Sequence, residues 1–494
     1  MFPRSSALVA GALAKFCFGR MVHLQILIIF IIGVLMFVAY RSRAKESFWI
    51  GYVFGLGYFG STLYWIAESF ECVGLEQYGY VAVALLVLYL SVFPALVCFL
   101  SRALATTPRN FAIFFPAIWV AMEYIRGFLF TGFPWNLVGY AVSDIPYLPQ
   151  IADTVGAYGV SLVVVFIVAS LHSARTAIYG IASLTAVLLY GFYKQELYDG
   201  YITPLQPCLV RIVQPSIALM DKMDPRKLQP NIKKQVELSG ISTSFYKGRT
   251  LVVWPEAAIV VPLNANPRIL EFFGTILTEK EVYLITGNDT IDKQRNIYNS
   301  AVVLGPGGCI EKVYNKRHLL PFGEFIPEFL VSLGIKKVTP GLMNFTHGRT
   351  SRTVHMKDFE KFNITICYEI AFPGEILDDQ WSTWILNITN DSWFKNSDGP
   401  TQHLRSARFR AIEEGRAIVR CANNGISCVI DCNGKVLQLL ETDEVGHIDT
   451  TMPQKWHRTI FSRMKNAPVL LFIALIIAYA FIIRRFGSAL NHRT

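Results

Sequence analysis

Long apolar runs dominate the first 195 residues of the chain. The clearest runs, together with one near the C-terminus, are 22–40, 48–67, 79–100, 111–130, 157–171, 177–193 and 467–483. Several approach the roughly 20 residues needed to cross the hydrocarbon of a bilayer. A weaker run, 5–19, contains Lys15 and is not followed by a cleavage site and a polar stretch, so we interpret it as a helix and not as a signal peptide. The pattern predicts seven membrane helices in residues 1–195 and an eighth in 467–494.

Loop charges predict the orientation of these helices. Lys and Arg recur after every second apolar run: Arg41, Arg43 and Lys45, then Arg102 and Arg109, then Arg175, and finally Arg484, Arg485 and Arg493. Because positively charged loops stay in the cytoplasm, both termini are expected there. Residues 196–466 are then expected to form a domain outside the cytoplasm.

Residues 196–466 change to short runs that are typical of strands. The strand candidates are 207–213, 250–254, 281–286, 300–304, 362–367, 383–388, 417–421 and 426–431. Asn423-Asn-Gly425 and Asn433-Gly434 are tight-turn signals, and 400–416 has the caps of a helix. The pattern predicts an α/β domain.

Composition agrees with a membrane location. The 494 residues are 52% hydrophobic and 17% charged, against roughly 25% charged in soluble domains. The net charge of +10 could indicate nucleic-acid binding, but no basic run is interleaved with aromatic residues. The nine cysteines include no Cys-x-x-Cys pair, and the spacing 421/428/432 fits no zinc pattern.

Cys367 is the first candidate for chemistry. It ends a β-type run in Phe362-Asn-Ile-Thr-Ile-Cys-Tyr-Glu-Ile370. A thiol at a sharp turn after a strand faces substrate, and it becomes a strong nucleophile when a base lies beside it. The amide of Tyr368 would then point at the carbon under attack and stabilise an oxyanion. The alternative is a buried structural cysteine.

Three more ionisable residues occupy similar positions. Pro255 cannot continue a central strand, so Glu256 lies at a strand end, where it could act as a general base. Lys316 could favour the thiolate and neutralise an oxyanion. Glu324 follows a Pro-Phe-Gly turn and could orient Lys316 or the base. Each could instead be an ordinary solvated charge.

The order of these motifs resembles a known superfamily. Trp-Pro-Glu-Ala, Tyr-Asn-Lys-Arg-His-Leu-x-Pro-Phe-Gly-Glu-Phe-x-Pro and Ile-Cys-Tyr-Glu-Ile resemble the Glu-Lys-Cys triad of nitrilases. Four further motifs resemble the apolipoprotein N-acyltransferase family: Thr131-Gly-Phe-Pro-Trp-Asn, Asn390-Asp-Ser-Trp-Phe394, Gln402-His-Leu-x-x-Ala-Arg and Arg420-x-x-Asn-Asn-Gly-Ile426. The resemblance covers nearly the whole chain. It implies eight transmembrane helices and a nitrilase-like α-β-β-α sandwich, with domains at 1–195, 196–466 and 467–494.

The resemblance also implies a reaction. Cys367 would take an acyl chain from the sn-1 position of a phospholipid, often phosphatidylethanolamine, and pass it from a thioester to the α-amino group of a diacylglyceryl-cysteine lipoprotein. Glu256 would be the base, and Lys316 with the Tyr368 amide would hold the oxyanion. The implied location is the bacterial inner membrane, with a periplasmic catalytic domain. The implied chemistry needs no cofactor, and the sequence shows no P-loop, Gly-x-Gly-x-x-Gly or His-rich cluster.

Supporting residues carry over from the family as well. The resemblance implies that Glu324, Tyr368 and Glu369 support the triad, and that Trp393 belongs to a mobile loop near the site. One position departs from the family, which often has a tryptophan before an Asp after the first domain strand. Here Met223 stands there.

Two alternatives and one membrane pair stay open at this point. A membrane-anchored amidohydrolase would use the same triad with water as the acceptor. A transporter with an outer binding domain is the alternative from another class, although paired intramembrane charges are sparse. Glu123 and Arg126 are three residues apart in one apolar run and share a helix face, as a structural ion pair or as a site for lipid headgroups.

Overall fold

The fold comes from a computed structural model, which describes residues 2–72, 74–200, 208–241, 248–279, 281–326, 344–357, 359–451 and 458–491. The chain forms two compact units. The first contains residues 1–67, 80–200 and 459–494, and the second contains residues 68–79 and 201–458.

The described residues before 201 and after 458 are mostly helical. The helix bounds are α1 Phe2–Ala12, α2 Ala14–Phe18, α3 Leu27–Tyr40, α4 Ala44–Leu63, α5 Glu68–Glu71, α6 Glu76–Leu90, α7 Val92–Leu104, α8 Pro108–Arg126, α9 Ala152–Ser170, α10 Ala174–Gly200, α15 Ile460–Met464 and α16 Ala467–Asn491. In the first unit α4 packs against α1 and α7, and α8 packs against α7 and α9.

Among the residues that the structure describes, four helical segments are long and apolar enough to cross a membrane. They are Val22–Tyr40, Glu76–Leu104, Leu148–Ser170 and Ala174–Leu197, and Ala467–Ile482 is a shorter apolar helix. The structure therefore supports a helical membrane part by length and composition, with four candidate spans against the eight that the sequence predicts.

Glu123 and Arg126 lie on α8, and both are buried. Glu123 Oε1 accepts hydrogen bonds from Trp119 Nε1 at 3.0 Å and from the Val138 amide at 2.8 Å, and Arg126 Nη1 donates to the Trp135 carbonyl at 2.8 Å. Both charged residues thus fix the segment that follows α8.

The second unit contains two six-stranded mixed sheets. The strands are β1 Leu209–Gln214, β2 Thr250–Val253, β3 Val282–Ile291, β4 Ile297–Leu304, β5 Ile310–Asn315, β6 Thr353–Val354, β7 Phe362–Ile366, β8 Trp384–Thr389, β9 Ala417–Ala422, β10 Ser427–Ile430, β11 Val436–Leu440 and β12 Gly446–Thr451. The sheet orders are β12-β1-β2-β3-β4-β5 and β11-β10-β9-β8-β7-β6. The central pairs β1–β2, β2–β3, β7–β8 and β8–β9 are parallel.

Side-chain alternation along these strands builds three apolar layers. Leu251 and Val253 of β2 pack in one cluster with Ile364 and Ile366 of β7, so the two sheets face each other. Val252, on the opposite side of β2, packs with helices α12 Leu228–Ser239 and α13 Pro267–Ile276. Helix α14, Gly399–Glu414, packs in the same way on the second sheet. The result is the predicted α-β-β-α sandwich.

All eight predicted strands are confirmed, and so are the helix at 400–416 and the turn at Asn423-Asn-Gly425, which joins antiparallel β9 and β10. The sequence missed β5, β6, β11 and β12, which are the four edge strands of the two sheets. Strands β5, β6 and β12 are partly solvated and carry polar residues, so they lack the apolar runs that identify the central strands. Strand β11 is apolar in four of its five residues and was missed despite that signal.

Candidate active site

The three residues of the predicted triad each follow the end of a strand. Glu256 comes three residues after β2, Lys316 directly after β5, and Cys367 directly after β7. The first two strands belong to one sheet and β7 belongs to the other. The site therefore forms where two facing sheets bring their strand ends together.

Lys316 is buried, with 2% of its surface exposed, and lies between two carboxylates. Its Nζ is 3.4 Å from Glu256 Oε1 and 2.9 Å from Glu324 Oε2. Burial alone would lower the pKa of Lys316, yet Glu324 and Glu256 raise it above the ordinary lysine value. The ammonium is consequently charged at any physiological pH.

Asn299 joins the same two carboxylates from the side of β4. Its Nδ2 donates to Glu256 Oε1 at 2.8 Å and to Glu324 Oε1 at 2.7 Å, so each amide hydrogen has an acceptor. The second oxygen of Glu256 accepts from the backbone amide of Asn390 at 2.8 Å, and that of Glu324 from Leu320 at 2.8 Å. Both carboxylates are thereby held in fixed positions.

Cys367 occupies a strained backbone position. Its φ of 49° is left-handed, which non-glycine residues rarely adopt, and the chain turns there from β7 into the short helix Cys367–Ala371. Burial, and next the charge of Glu256, raise the pKa of the Cys367 thiol, while Lys316 opposes the shift. The resting group is thus a thiol beside a carboxylate, which suits base-assisted attack better than a preformed thiolate.

Glu369 is buried and holds the turn together. Its carboxylate accepts hydrogen bonds from the Tyr314 hydroxyl at 2.7 Å, from the amides of Arg317 at 2.9 Å and Ile366 at 2.8 Å, and from Arg352 at 3.1 Å. Burial would raise its pKa, but Arg352 and these donors hold the pKa of Glu369 below its usual value. Glu369 thus fixes the two segments that carry Lys316 and Cys367.

A second buried network supports Cys367 from α14. His403 Nε2 lies 3.1 Å from the Cys367 carbonyl oxygen, and its Nδ1 lies 3.0 Å from Arg420 Nη2. Burial and Arg420 lower the pKa of His403, against the opposing effect of Asp391, whose Oδ1 lies 3.1 Å from the same Nδ1. Arg420 also donates to Asp391 Oδ2 at 2.8 Å.

The two remaining predicted residues are Tyr368 and Trp393. Tyr368 is buried, and its ring packs against His318 and Phe372. Trp393 is half-buried in the short helix Asp391–Phe394.

Comparison with known proteins identifies the family. The model of the apolipoprotein N-acyltransferase N-terminal domain matches residues 10–170, and the carbon-nitrogen hydrolase model matches residues 209–459. The apolipoprotein N-acyltransferase of Brucella melitensis is 35% identical over 424 residues, which cover 82% of this chain and 79% of that protein. The protein of the same name from Rickettsia bellii is 32% identical over 492 residues, 96% of each chain. The chain belongs to the apolipoprotein N-acyltransferase family. A solved amidase from Nesterenkonia sp. aligns at a TM-score of 0.37 and 15% identity, covering 52% of this chain and 94% of the amidase.

The sequence analysis did not single out several residues that lie around the candidate active site. Asn299 had a visible signal, since Tyr298-Asn-Ser300 interrupts an apolar strand with polar residues. Asp391, His403 and Arg420 lie in the motifs that carry the resemblance, but their spacing along the chain does not show that they meet behind Cys367.

Proposed function

We propose that the protein transfers an acyl chain from the sn-1 position of a phospholipid, through a thioester on Cys367, to the α-amino group of a diacylglyceryl-cysteine lipoprotein. The observation that carries the proposal is the grouping of a buried ammonium, Lys316, with Glu256 and the Cys367 thiol, in a chain of this family. Phosphatidylethanolamine is the proposed donor.

In the first half-reaction Glu256 accepts the thiol proton as the sulfur of Cys367 attacks the ester carbonyl carbon. The oxyanion that forms is stabilised by Lys316 Nζ and by the Tyr368 amide. The carbon–oxygen bond of the ester then breaks, and Glu256 returns the proton to the alkoxide oxygen that leaves. The products are a thioester on Cys367 and a lysophospholipid.

In the second half-reaction the free amine of the lipoprotein attacks the thioester carbon. Glu256 removes the proton that the nitrogen loses, and the same donors hold the second oxyanion. The carbon–sulfur bond breaks, the sulfur of Cys367 recovers the proton from Glu256, and an amide remains on the lipoprotein. Two moderate barriers replace one high barrier, which is the usual benefit of a covalent intermediate.

The proposed setting is a bacterial inner membrane. We propose seven membrane helices in 1–195, a periplasmic catalytic domain in 196–466 and a last helix with a cytoplasmic tail in 467–494. Four apolar helices long enough to span a bilayer and the recurrence of Lys and Arg after every second apolar run support this arrangement.

The amidohydrolase alternative uses the same three residues but needs no helical platform. The match of residues 10–170 to the acyltransferase N-terminal domain favours transfer to a lipoprotein over transfer to water.

The test is to incubate the purified protein with phospholipid labelled in its sn-1 chain, without any acceptor. We expect a hydroxylamine-sensitive adduct on Cys367 and release of lysophospholipid. Cys367→Ala should form no adduct, whereas Cys309→Ala, which removes an exposed thiol, should behave as the wild type. Equal labelling of wild type and Cys367→Ala would refute the proposal.

A further inference from the structure

Lys222 is a second buried lysine beside the proposed base. It lies in the short helix α11, Leu219–Met223, directly before Met223, and only 3% of its surface is exposed. Its Nζ donates to the carbonyl oxygen of Glu256 at 3.1 Å and to that of Ala257 at 3.2 Å. Lysines are rarely buried to this extent, so these contacts call for a physical reason.

The backbone around Glu256 supplies that reason. The chain turns sharply there, since Ala257 has a left-handed φ of 49°. The turn is pressed against β3, where a Cβ on Gly287 would come within 2.5 Å of the Glu256 Cα. Such a turn leaves successive carbonyl groups pointing away from the sheet ladder.

Each of four successive carbonyl groups in this turn has a hydrogen-bond donor, and Lys222 supplies two of these bonds. The carbonyl of Pro255 accepts from the Gly287 amide at 3.1 Å, and that of Ala258 accepts from Gln235 Nε2 at 3.1 Å. The two carbonyls between them, those of Glu256 and Ala257, both accept from Lys222. Buried carbonyls need partners, so one ammonium completes the turn from which the Glu256 side chain projects.

The ammonium also acts on Glu256 through its charge. Burial lowers the pKa of Lys222 to about 7, against the opposing effects of Glu256 and Cys421, so Lys222 is charged below that pH. Burial raises the pKa of Cys421, which leaves Glu256 as the charged group facing Lys222 in that range. Glu256 itself faces Lys316 and the Cys367 thiol on its other side.

We propose that Lys222 is a positioning residue that fixes the turn from which the Glu256 side chain projects. The inference rests on the proposed role of Glu256 as the base. It adds to Lys316 a second cation, which acts from the backbone side and does not touch the substrate.

The test compares the rate of Cys367 acylation in wild type, Lys222→Met, Lys222→Gln and Lys233→Met. Lys233 is an exposed lysine that pairs with Glu237 on the surface of α12, so its variant is the matched control. We expect Lys222→Met to acylate on the order of 100-fold more slowly, because small displacements of a base are that costly. Lys222→Gln should recover a larger share of the rate, since its amide can still donate to the two carbonyls.

Lys222→Gln keeps N–H donors without the charge, so it remains informative should Lys222→Met fail to fold. Thermal unfolding of each variant identifies such a failure. Wild-type acylation by a folded Lys222→Met, or acylation by Lys222→Gln that is no faster than that by Lys222→Met, would overturn the inference.

The same variants are compared by the rate of alkylation of Cys367 with iodoacetamide, which needs no lipid. Failure of the wild type to form an acyl adduct would count against the proposed function. The alkylation rates would still test the role of Lys222, because Glu256 is the proposed acceptor of the thiol proton in that reaction as well.

Discussion

Asn299 Nδ2 donates a hydrogen bond of 2.8 Å to Glu256 Oε1. The other hydrogen of the same amide reaches Glu324 at 2.7 Å, so one neutral side chain keeps two buried carboxylates apart. Lys316 then balances their charge. The arrangement holds both oxygens of Glu256 in place, which suits its proposed role as the base of two successive half-reactions.

Replacing Asn299 tests this arrangement. In Asn299→Leu both carboxylates lose a donor while the number of side-chain heavy atoms is kept, so we expect a loss of stability of about 1–3 kcal/mol and Cys367 acylation slowed at least 10-fold. Thermal unfolding and the rate of adduct formation measure the two effects. Asn264→Leu, at an exposed position, is the control. Wild-type acylation by Asn299→Leu would show that the bridge is dispensable.

Removing the charge of Lys316 should separate stability from catalysis. Lys316→Met leaves Glu256 and Glu324 buried without their cation, which costs about 3–5 kcal/mol, and removes an oxyanion donor worth on the order of 10²–10³ in rate. The double variant Lys316→Met/Glu324→Gln carries one buried carboxylate fewer. It should recover part of the stability but none of the acylation; recovery of acylation would remove Lys316 from the reaction.

The raised pKa of Cys367 predicts low reactivity in the resting protein. At pH 7 iodoacetamide should alkylate Cys367 more slowly than the exposed Cys309, because burial keeps Cys367 in the thiol form. Peptide mass spectrometry after timed quenching measures both rates in one sample. In Glu256→Gln the proposed acceptor of the thiol proton is gone, and this loss should outweigh the lower pKa of the thiol that follows from removing the charge. The alkylation of Cys367 should therefore fall further while that of Cys309 stays constant. Faster labelling of Cys367 than of Cys309 would indicate a preformed thiolate.

His403 should act through the carbonyl of Cys367. His403→Ala removes the ring nitrogen 3.1 Å from that oxygen, so we expect slower acylation and a lower unfolding temperature. His403→Gln can still present an amide donor and should recover a larger share of the rate than of the stability. Equal acylation by the two variants would show that the contact does not position Cys367.

Asp391 should make stability depend on pH. Burial would raise its pKa, but Arg420 and then His403 hold the pKa of Asp391 below its usual value. The group is more acidic in the folded than in the unfolded state, so its contribution is complete above about pH 4 and is lost as the pH falls through the native pKa. Unfolding temperatures from pH 7 to pH 3 should therefore fall less steeply in Asp391→Asn than in wild type. Parallel curves would contradict the prediction.

Local patterns predicted much of the fold. The central strands appear as apolar runs because both of their faces are buried, and Cys367 was placed at a strand end because polar residues follow Ile366. Three of the four edge strands, β5, β6 and β12, escaped prediction because one side of each meets water and carries polar residues. The grouping of Glu256, Lys316 and Cys367 was available only through resemblance to a family, since 111 residues separate the first from the last.

The sequence by itself determined where strands end and which ionisable residues follow them, because turn chemistry and side-chain periodicity act over a few residues. It also determined the membrane character of the first part, since that depends on composition alone. Only the tertiary structure decided that Asn299 lies between two carboxylates, that His403 reaches the carbonyl of Cys367 and that Lys222 lies under the turn of Glu256. These contacts join two sheets and their covering helices across long stretches of chain, and their strength comes from burial, which exists only once the sheets have packed.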